Sequence, residues 1–166
     1  MSTNQCKATT QAEAGRKLRA IAVATVASPK PGSPGVSVSA WQIFDAATDE
    51  QIGEPVMKSS RAANRYQWYP LIMAIRGVIE SCLSGDEATI EVCMANLATA
   101  FQFDGRGAAG KYVEDGQTIA EIIKFASEEG VKFSVKHAPV GPRQRHLKKK
   151  ALGLANAQLA RLAAEN

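Results

Sequence analysis

The stretch Ala20–Phe44, AIAVATVASPKPGSPGVSVSAWQIF, decides the fold, because two apolar segments in it flank a loop that is rich in proline and glycine. The first segment, residues 18–26, is β-branched and apolar and predicts a buried strand. The loop holds three prolines, which neither a strand interior nor a helix accepts. In the second segment apolar residues alternate with serines over residues 36–40, which predicts a strand with one buried face.

The next residues predict a hairpin, and after it the spacing of apolar residues changes from the two-residue period of a strand to the period of a helix. Residues 45–53 are turn-like, and residues 54–60 can form the return strand, so the first sixty residues predict three sequential antiparallel strands. Over residues 64–85 apolar side chains recur every three or four positions, as on one face of an amphipathic helix. Asn64 is the expected N-cap of this helix, and Gly85 suits its end.

The second half of the chain alternates between strand and helix patterns. Strands are predicted at 88–94 and 131–138, and helices at 95–103, 117–130 and 147–165. The segment PVGPRQRH before the last helix is expected to be a loop. Because strands that alternate with helices require parallel crossovers, the order predicts an α/β fold. Its five-stranded mixed sheet has three antiparallel strands and then two parallel ones, flanked by helices.

The length of the chain indicates the number of domains, and the cysteines indicate the environment of the protein. A chain of 166 residues suits one domain, and we expect a flexible tail over 1–16 and a single domain over 17–166. There is no apolar run long enough for a membrane span, and the first residues lack the apolar core of a secretory signal. The spacing of Cys6, Cys82 and Cys93 matches no metal knuckle. We therefore expect a cytoplasmic protein.

Positive charge is concentrated near the C-terminus. Residues 131–166 contain eight Lys and Arg residues but only one acid, Glu165, although the whole chain has a net charge of +4. Such a concentration can mark a nucleic-acid-binding face. It is equally typical of a solvated basic helix, and charge by itself does not separate these two interpretations.

Four segments resemble motifs of the ribonuclease H family, in the family's order and on the matching predicted elements. SPKPGSPG resembles its Asn-Pro-Gly-Pro-Gly loop, with Lys30 in the Asn place, and AANRYQ resembles Asn-Asn-Arg-Met-Glu at the first helix. VKFSVKHAPVG resembles the fifth strand and the histidine loop, and ALGLANAQLA resembles the last helix. The resemblance covers residues 18–164 and implies a ribonuclease H-like fold.

The resemblance also shows which catalytic groups are missing. Members of the family hydrolyse RNA/DNA hybrids with two Mg²⁺ ions held by four carboxylates. The corresponding positions in this chain are Ala24, Gln67, Met94 and Leu152, none of which carries a charge. Paired divalent cations need oxygen ligands and compensating negative charge. The resemblance therefore implies a catalytically inactive pocket with no metal or cofactor, made apolar by Met94 and Leu152.

The leading hypothesis is a protein that binds nucleic acid, an RNA/DNA hybrid or another duplex, through a basic face. His137 occupies the place of the family's mobile histidine, where it can contact a phosphate or simply end a strand. Trp68 can stack on a base or belong to the core. The candidate nucleic-acid-binding residues are Lys30, Asn64, Arg65, Lys136, His137, Arg143, Arg145, Lys148, Lys149 and Lys150.

Two alternatives stay open at the level of sequence. A fold that has lost its catalytic acids can be retained as a protein–protein interaction module or scaffold. Residual metal-dependent hydrolysis of hybrids is the third hypothesis. The proline-rich loop likewise has two interpretations, since its glycines can let the backbone approach a phosphate, or the loop can serve as a rigid connector.

Overall fold

The computed structural model describes residues 15–28, 35–62, 68–106 and 113–165, and its centre is a five-stranded mixed sheet. The strand order is β3-β2-β1-β4-β5. β1 pairs antiparallel with β2, and β2 with β3, whereas β4 runs parallel to both β1 and β5. This arrangement confirms the predicted sheet. The strands are β1 (Lys17–Ala27), β2 (Gly35–Asp45), β3 (Gln51–Ala62), β4 (Glu87–Val92) and β5 (Lys132–His137).

Helices cover both faces of the sheet and enclose two apolar cores. Within the described residues the helices are α1 (Tyr69–Ser81), α2 (Ala95–Gln102), α3 (Val113–Glu128) and α4 (Pro142–Glu165). The larger core joins α1, α2 and α3 to one face of the sheet. The smaller core lies between α4 and the other face of β1 and β2. No helix in the described part of the chain is both long and apolar enough to cross a bilayer.

The central strand β1 contributes side chains to both cores. Leu18, Ala20 and Ala22 are buried in the larger core, while Ile21 and Val23 are buried in the smaller one. A strand that is covered on both faces shows a continuous apolar run, which is the pattern seen at residues 18–26 of the sequence. β1 is therefore covered on both faces.

A close approach to β2 fixes the position of α1. Ser39 Oγ donates a hydrogen bond of 2.6 Å to the Pro70 carbonyl, and Trp41 Nε1 donates one of 3.2 Å to Ser81 Oγ. Between these contacts the Trp41 ring lies against Gly77, where a Cβ atom would overlap the ring. The helix can pack this close to the sheet because Gly77 has no side chain.

The C-terminal end of α1 differs from the prediction. The helix begins at Tyr69 with Pro70 in its first turn, and Asn64 lies outside the described residues. It ends at Ser81 and not at Gly85. The chain becomes extended at Cys82, and Gly85 has a φ of 93° in the turn that leads into β4. The glycine therefore serves this turn and does not end the helix.

Arg16, one residue before the predicted start of the domain, makes contacts with the folded part of the chain. Arg16 donates hydrogen bonds of 3.0 and 2.6 Å to the Asp86 carboxylate, which is completely buried. The same carboxylate accepts a 2.8 Å bond from the Leu83 backbone N–H. Because a buried carboxylate without partners is strongly unfavourable, Arg16 anchors the start of the domain. Residues 1–14 lie outside the described residues.

The last helix is longer than the sequence indicated. α4 starts at Pro142, so most of the predicted loop PVGPRQRH is helical. Proline is well tolerated in the first turn of a helix, where its missing N–H has no intrahelical partner. The additional turn carries Arg143 and Gln144. Helix α3 also starts earlier than predicted, at Val113.

Two glycines within helices offer a matched test of this packing. Ala is preferred over Gly in helices by about 1 kcal/mol, and a Cβ atom on Gly153 in α4 would meet open space. We expect Gly153→Ala to raise the free energy of unfolding by about 0.5–1 kcal/mol. Gly77→Ala should lower it by roughly 1–3 kcal/mol because of the overlap with Trp41. Denaturant titration of both variants measures the difference, and equal effects would contradict the proposed packing.

Candidate functional site

A gap opens in the sheet where β1 and β4 separate. Their pairing ends at Ile21 and Glu91, although β1 continues to Ala27. β1 is antiparallel to β2 and parallel to β4, so the strand direction changes at this point of the sheet. In α/β proteins ligands bind in such crevices, at the carboxyl ends of parallel strands. A cavity of about 370 Å³ lies here.

The walls of this cavity come from every element that meets the gap. They are formed by the end of β1, the first turn of α1, the residues after β4 and the first two turns of α4. No carboxylate is among the lining residues. The described part of the chain also has no group of three or more His, Cys, Asp or Glu side chains that could hold a metal ion. The lining residues are Val23, Ala24, Thr25, Val26, Pro70, Leu71, Cys93, Met94, Val140, Gln144 and Lys148.

The positions that correspond to the family's four acids separate into three groups. Ala24 and Met94 both line the cavity, as the resemblance implied. Gln67 lies outside the described residues. The expectation that Leu152 makes the pocket apolar was wrong, because its side chain is 42% exposed and does not line the cavity. α4 begins at Pro142, and so the residues that face the gap are Gln144 and Lys148, which precede Leu152.

Gln144 is the most unusual side chain in the cavity wall. It is only 5% exposed, and its Oε1 atom has no hydrogen-bond partner within the described residues. A buried acceptor without a partner costs roughly 1–3 kcal/mol, and such atoms in folded proteins call for a specific explanation. The sequence did not indicate Gln144, because this residue lies in the segment PVGPRQRH that was predicted to be a loop.

Exposed cations lie along one side of α4, next to the cavity. Arg145, Lys148 and Lys149 are spaced three and four residues apart and therefore share one side of the helix. We call these three residues the basic flank. None of them forms an ion pair within the described residues. Lys150 is also exposed, but it lies about 200° around the helix from Lys148 and points away from the cavity.

Arg143 is engaged by protein groups, which the sequence did not reveal. Its guanidinium donates two hydrogen bonds of 2.8 Å to the Asp49 carboxylate and lies 4.3 Å from the centre of the Phe44 ring. The hydrogen bonds from Arg143 lower the pKa of Asp49 below its ordinary value. Arg143 is therefore not a free cation in this structure.

A second arginine continues this network on the same face of the sheet. Arg19 approaches Asp49 at 3.4 Å through Nη1 and Glu91 at 3.3 Å through Nε. Glu91 is the acid closest in sequence to Met94, and its side chain points to the α4 face of the sheet. Arg19 pairs with Glu91, and Glu91 is not among the residues that line the cavity.

The remaining candidate residues lie at the end of β5, in the larger core or outside the described residues. Lys136 and His137 are exposed at the end of β5, paired in register with Glu91 and Val92. His137 does not line the cavity. Trp68 is 6% exposed and belongs to the larger core, so it is not an exposed stacking platform. Lys30, Asn64 and Arg65 lie outside the described residues.

A second depression, which the sequence did not indicate, lies between β2, β3 and the start of α1. Its volume is about 320 Å³, and its lining includes Ser59, Ser60 and Tyr69. Lys58 lies 5.7 Å from the centre of the Trp41 ring at this site and has no ion pair within the described residues. In the sequence Lys58 was simply one polar residue of a strand, so no pattern marked it.

The Arg143–Asp49 pair can be tested through the pKa of Asp49. Because this pKa is lowered on folding, the pair contributes stability above the unfolded-state pKa, and this contribution is lost as the pH falls through the folded-state value. We expect Arg143→Gln to raise the pKa of Asp49 towards 3.8. Carboxyl NMR titration gives the measurement.

Asp45 provides an internal control for this titration. Its pKa is also lowered, but by hydrogen bonds from the backbone N–H groups of Thr48 and Ala47. The pKa of Asp45 should therefore not change in Arg143→Gln. Identical Asp49 midpoints in the wild type and the variant would show that the pair does not form in solution.

Comparison with known proteins finds solved structures of similar architecture. No protein-family model matches the chain, and neither does any curated protein. Among solved structures, LC11-RNase H1 from a compost metagenome matches at a TM-score of 0.63 and 13% identity, covering 87% of this chain and 99% of that one. The N-terminal RNase H domain of Rv2228c from Mycobacterium tuberculosis matches at a TM-score of 0.62 and 15% identity, with 89% and 99% coverage.

A further match is RNase H1 from Halobacterium salinarum, at a TM-score of 0.54 and 15% identity, covering 84% of this chain and 95% of that one. At these identities the similarity concerns the fold. It agrees with the five-stranded mixed sheet described above. The chain has a ribonuclease H-like fold.

Proposed function

We propose that this protein binds duplex nucleic acid of A-form character, such as an RNA/DNA hybrid, along the basic flank and does not cleave it. One observation carries this proposal. The cavity at the gap between β1 and β4 is lined by Lys148 and contains no carboxylate among its lining residues. At this place in the fold the protein can present a positive charge to a phosphate, and the described residues offer no ligand set for a cation.

The binding is largely electrostatic. Arg145, Lys148 and Lys149 provide three exposed cations on one side of α4, and Lys136 and Lys58 can add contacts at the end of β5 and at the second depression. Contacts of this kind go to the phosphate backbone and position a duplex without reading its sequence. Lys30, Asn64, Arg65 and His137 stay predictions for the same surface, whereas Arg143 and Lys150 are left out.

The preference for an A-form duplex rests on the fold. LC11-RNase H1, whose structure in complex with an RNA/DNA hybrid matches this chain at a TM-score of 0.55 and 13% identity, provides the precedent. Helices of A-form are recognised mainly by shape and through their backbone. A basic flank beside a gap in a rigid sheet suits that mode of recognition.

The side chains of the cavity do not favour two-metal hydrolysis. Paired divalent cations require several oxygen ligands and compensating negative charge. The groups available here include the Cys93 thiol, the Met94 thioether, the Gln144 amide and the Lys148 ammonium. The ammonium repels a divalent cation, and the sulfur atoms are poor ligands for Mg²⁺.

A protein-interaction module is supported less well by the same surface. The site is bordered by the three cations of the basic flank, whereas interface cores are depleted of charged residues. Leu152 is exposed close to this region but lies outside the cavity. A protein partner retained after nuclease treatment of a lysate would favour the module over nucleic-acid binding.

Two lysines on opposite sides of α4 provide the test. We expect the affinity for a labelled RNA/DNA hybrid to fall with salt, with a log–log slope of about −4 if five phosphates are contacted. Lys148→Ala should make this slope shallower by about 1, because one phosphate contact is lost. Lys150→Ala removes the same charge on the far side of the helix and should leave the slope unchanged. Fluorescence anisotropy at several salt concentrations measures all three proteins.

Two results would count against the proposal. One is an affinity that does not depend on salt, since phosphate contacts release counterions. The other is an equal loss in Lys148→Ala and Lys150→Ala, which would indicate a general effect of net charge and no defined binding side.

A further inference from the structure

The cavity at the gap between β1 and β4 has the volume and the walls of a small-molecule site. Its volume of about 370 Å³ lies within the range for such pockets, roughly 300–1,000 Å³. Most of its lining residues are apolar, among them Val23, Leu71, Met94 and Val140. Because covering apolar surface removes it from contact with water, which is favourable, these walls favour a ligand with an apolar body.

Lys148 is the only charged residue among the described residues that line the cavity. Its side chain is exposed to solvent and forms no ion pair within the described part of the chain. One ammonium group at the solvent-exposed side of an apolar cavity attracts a ligand with one negative charge and repels a cationic ligand. The wall therefore selects the charge of the ligand as well as its apolar character.

The other polar groups of the wall select little. The Oε1 atom of Gln144 is fully buried, so a ligand in the cavity cannot reach it. Thr25 and Cys93 offer a hydroxyl and a thiol, of which the first both donates and accepts and the second bonds weakly. The described wall thus requires no particular array of hydrogen bonds, and its pattern is an apolar chamber with one cation.

We propose that the cavity binds a small amphipathic monoanion, a carboxylate with an apolar body. The body lies in the chamber between the ends of β1 and β4, and the carboxylate meets Lys148. A carboxylate carries one negative charge at neutral pH and so matches the single ammonium, whereas a phosphate monoester carries about 1.5 to 2. This site does not depend on the proposed binding of nucleic acid.

Occupation of the cavity also regulates the basic flank. The Lys148 ammonium that pairs with a carboxylate in the cavity is no longer available to a phosphate outside it. A bound monoanion therefore weakens the binding of a duplex. This consequence, unlike the site, rests on the proposed function.

A series of ligands that differ in one property at a time tests the site. Butanoate, hexanoate and octanoate differ in the length of the apolar body, and octanol has the body of octanoate without its charge. We expect the affinity to rise about fourfold for each methylene that enters the cavity. Octanoate should bind about two- to fivefold more tightly than octanol, the range expected for a partly exposed ion pair. NMR titration of the labelled protein measures these affinities.

Two pairs of variants assign the head group and the chamber. Lys148→Ala should remove the advantage of octanoate over octanol, and Lys150→Ala should keep it. Val140 is a half-exposed residue of the wall, so Val140→Asp should lower the affinity for octanoate about tenfold through charge repulsion without disturbing the core. Phe103→Asp makes the same change of charge at an exposed apolar residue outside the cavity and should have no effect.

A competition experiment tests the regulation. Octanoate should reduce the affinity for a labelled RNA/DNA hybrid and make its salt slope shallower by about 1, because one phosphate contact is lost. Butanoate at the same ionic strength should leave both unchanged. In Lys148→Ala octanoate should have no effect on the hybrid.

The outcomes separate the two proposals. Affinities that do not rise with chain length, or an advantage of octanoate that survives in Lys148→Ala, would overturn the carboxylate site. Hybrid binding without any binding of octanoate would overturn the site and leave the proposed function intact. Octanoate binding that depends on Lys148 and Val140, together with no binding of a hybrid, would support the site and overturn the proposed function.

Discussion

The site depends on the point at which β1 separates from β4. Parallel pairing holds the two strands together only as far as Ile21 and Glu91. Beyond that point the end of β1 has no hydrogen-bonded neighbour on the β4 side, and its side chains border a cavity instead of a strand. The first turns of α4 lie across this opening and bring Gln144 and Lys148 to it. The charge of Lys148 therefore influences what the gap can bind.

The start of α4 is held by contacts that are distant in sequence. Arg143 pairs with Asp49 in the turn between β2 and β3 and lies over Phe44, while Arg19 links Asp49 to Glu91. These contacts keep the acidic side chains of this face paired with arginines. The unpaired cations of the basic flank lie on another side of the same helix. The paired Arg143 and the basic flank therefore lie on different sides of the helix.

Sequence patterns predicted the sheet but not the details of the site. Two periods, alternation in the strands and three- to four-residue spacing in the helices, were sufficient for the order of the strands and helices along the chain. The start of α4 was missed because two prolines made residues 139–146 look like a loop, and this shifted the expected cavity residue to Leu152. The pairing of Arg143 joins residues 94 positions apart, which no local pattern can show. The orphan oxygen of Gln144 depends on tertiary burial for the same reason.

The proposed function requires that lysine side chains meet phosphates at this gap, where the described lining residues include no carboxylate that could hold a metal ion. A labelled RNA/DNA hybrid incubated with the protein in Mg²⁺, Mn²⁺ or EDTA at matched ionic strength tests this statement most directly. The account predicts that the hybrid stays intact and is bound with the same affinity in all three conditions. Cleavage that requires a divalent ion and is lost in Lys148→Ala, or binding that fails in EDTA, would contradict it.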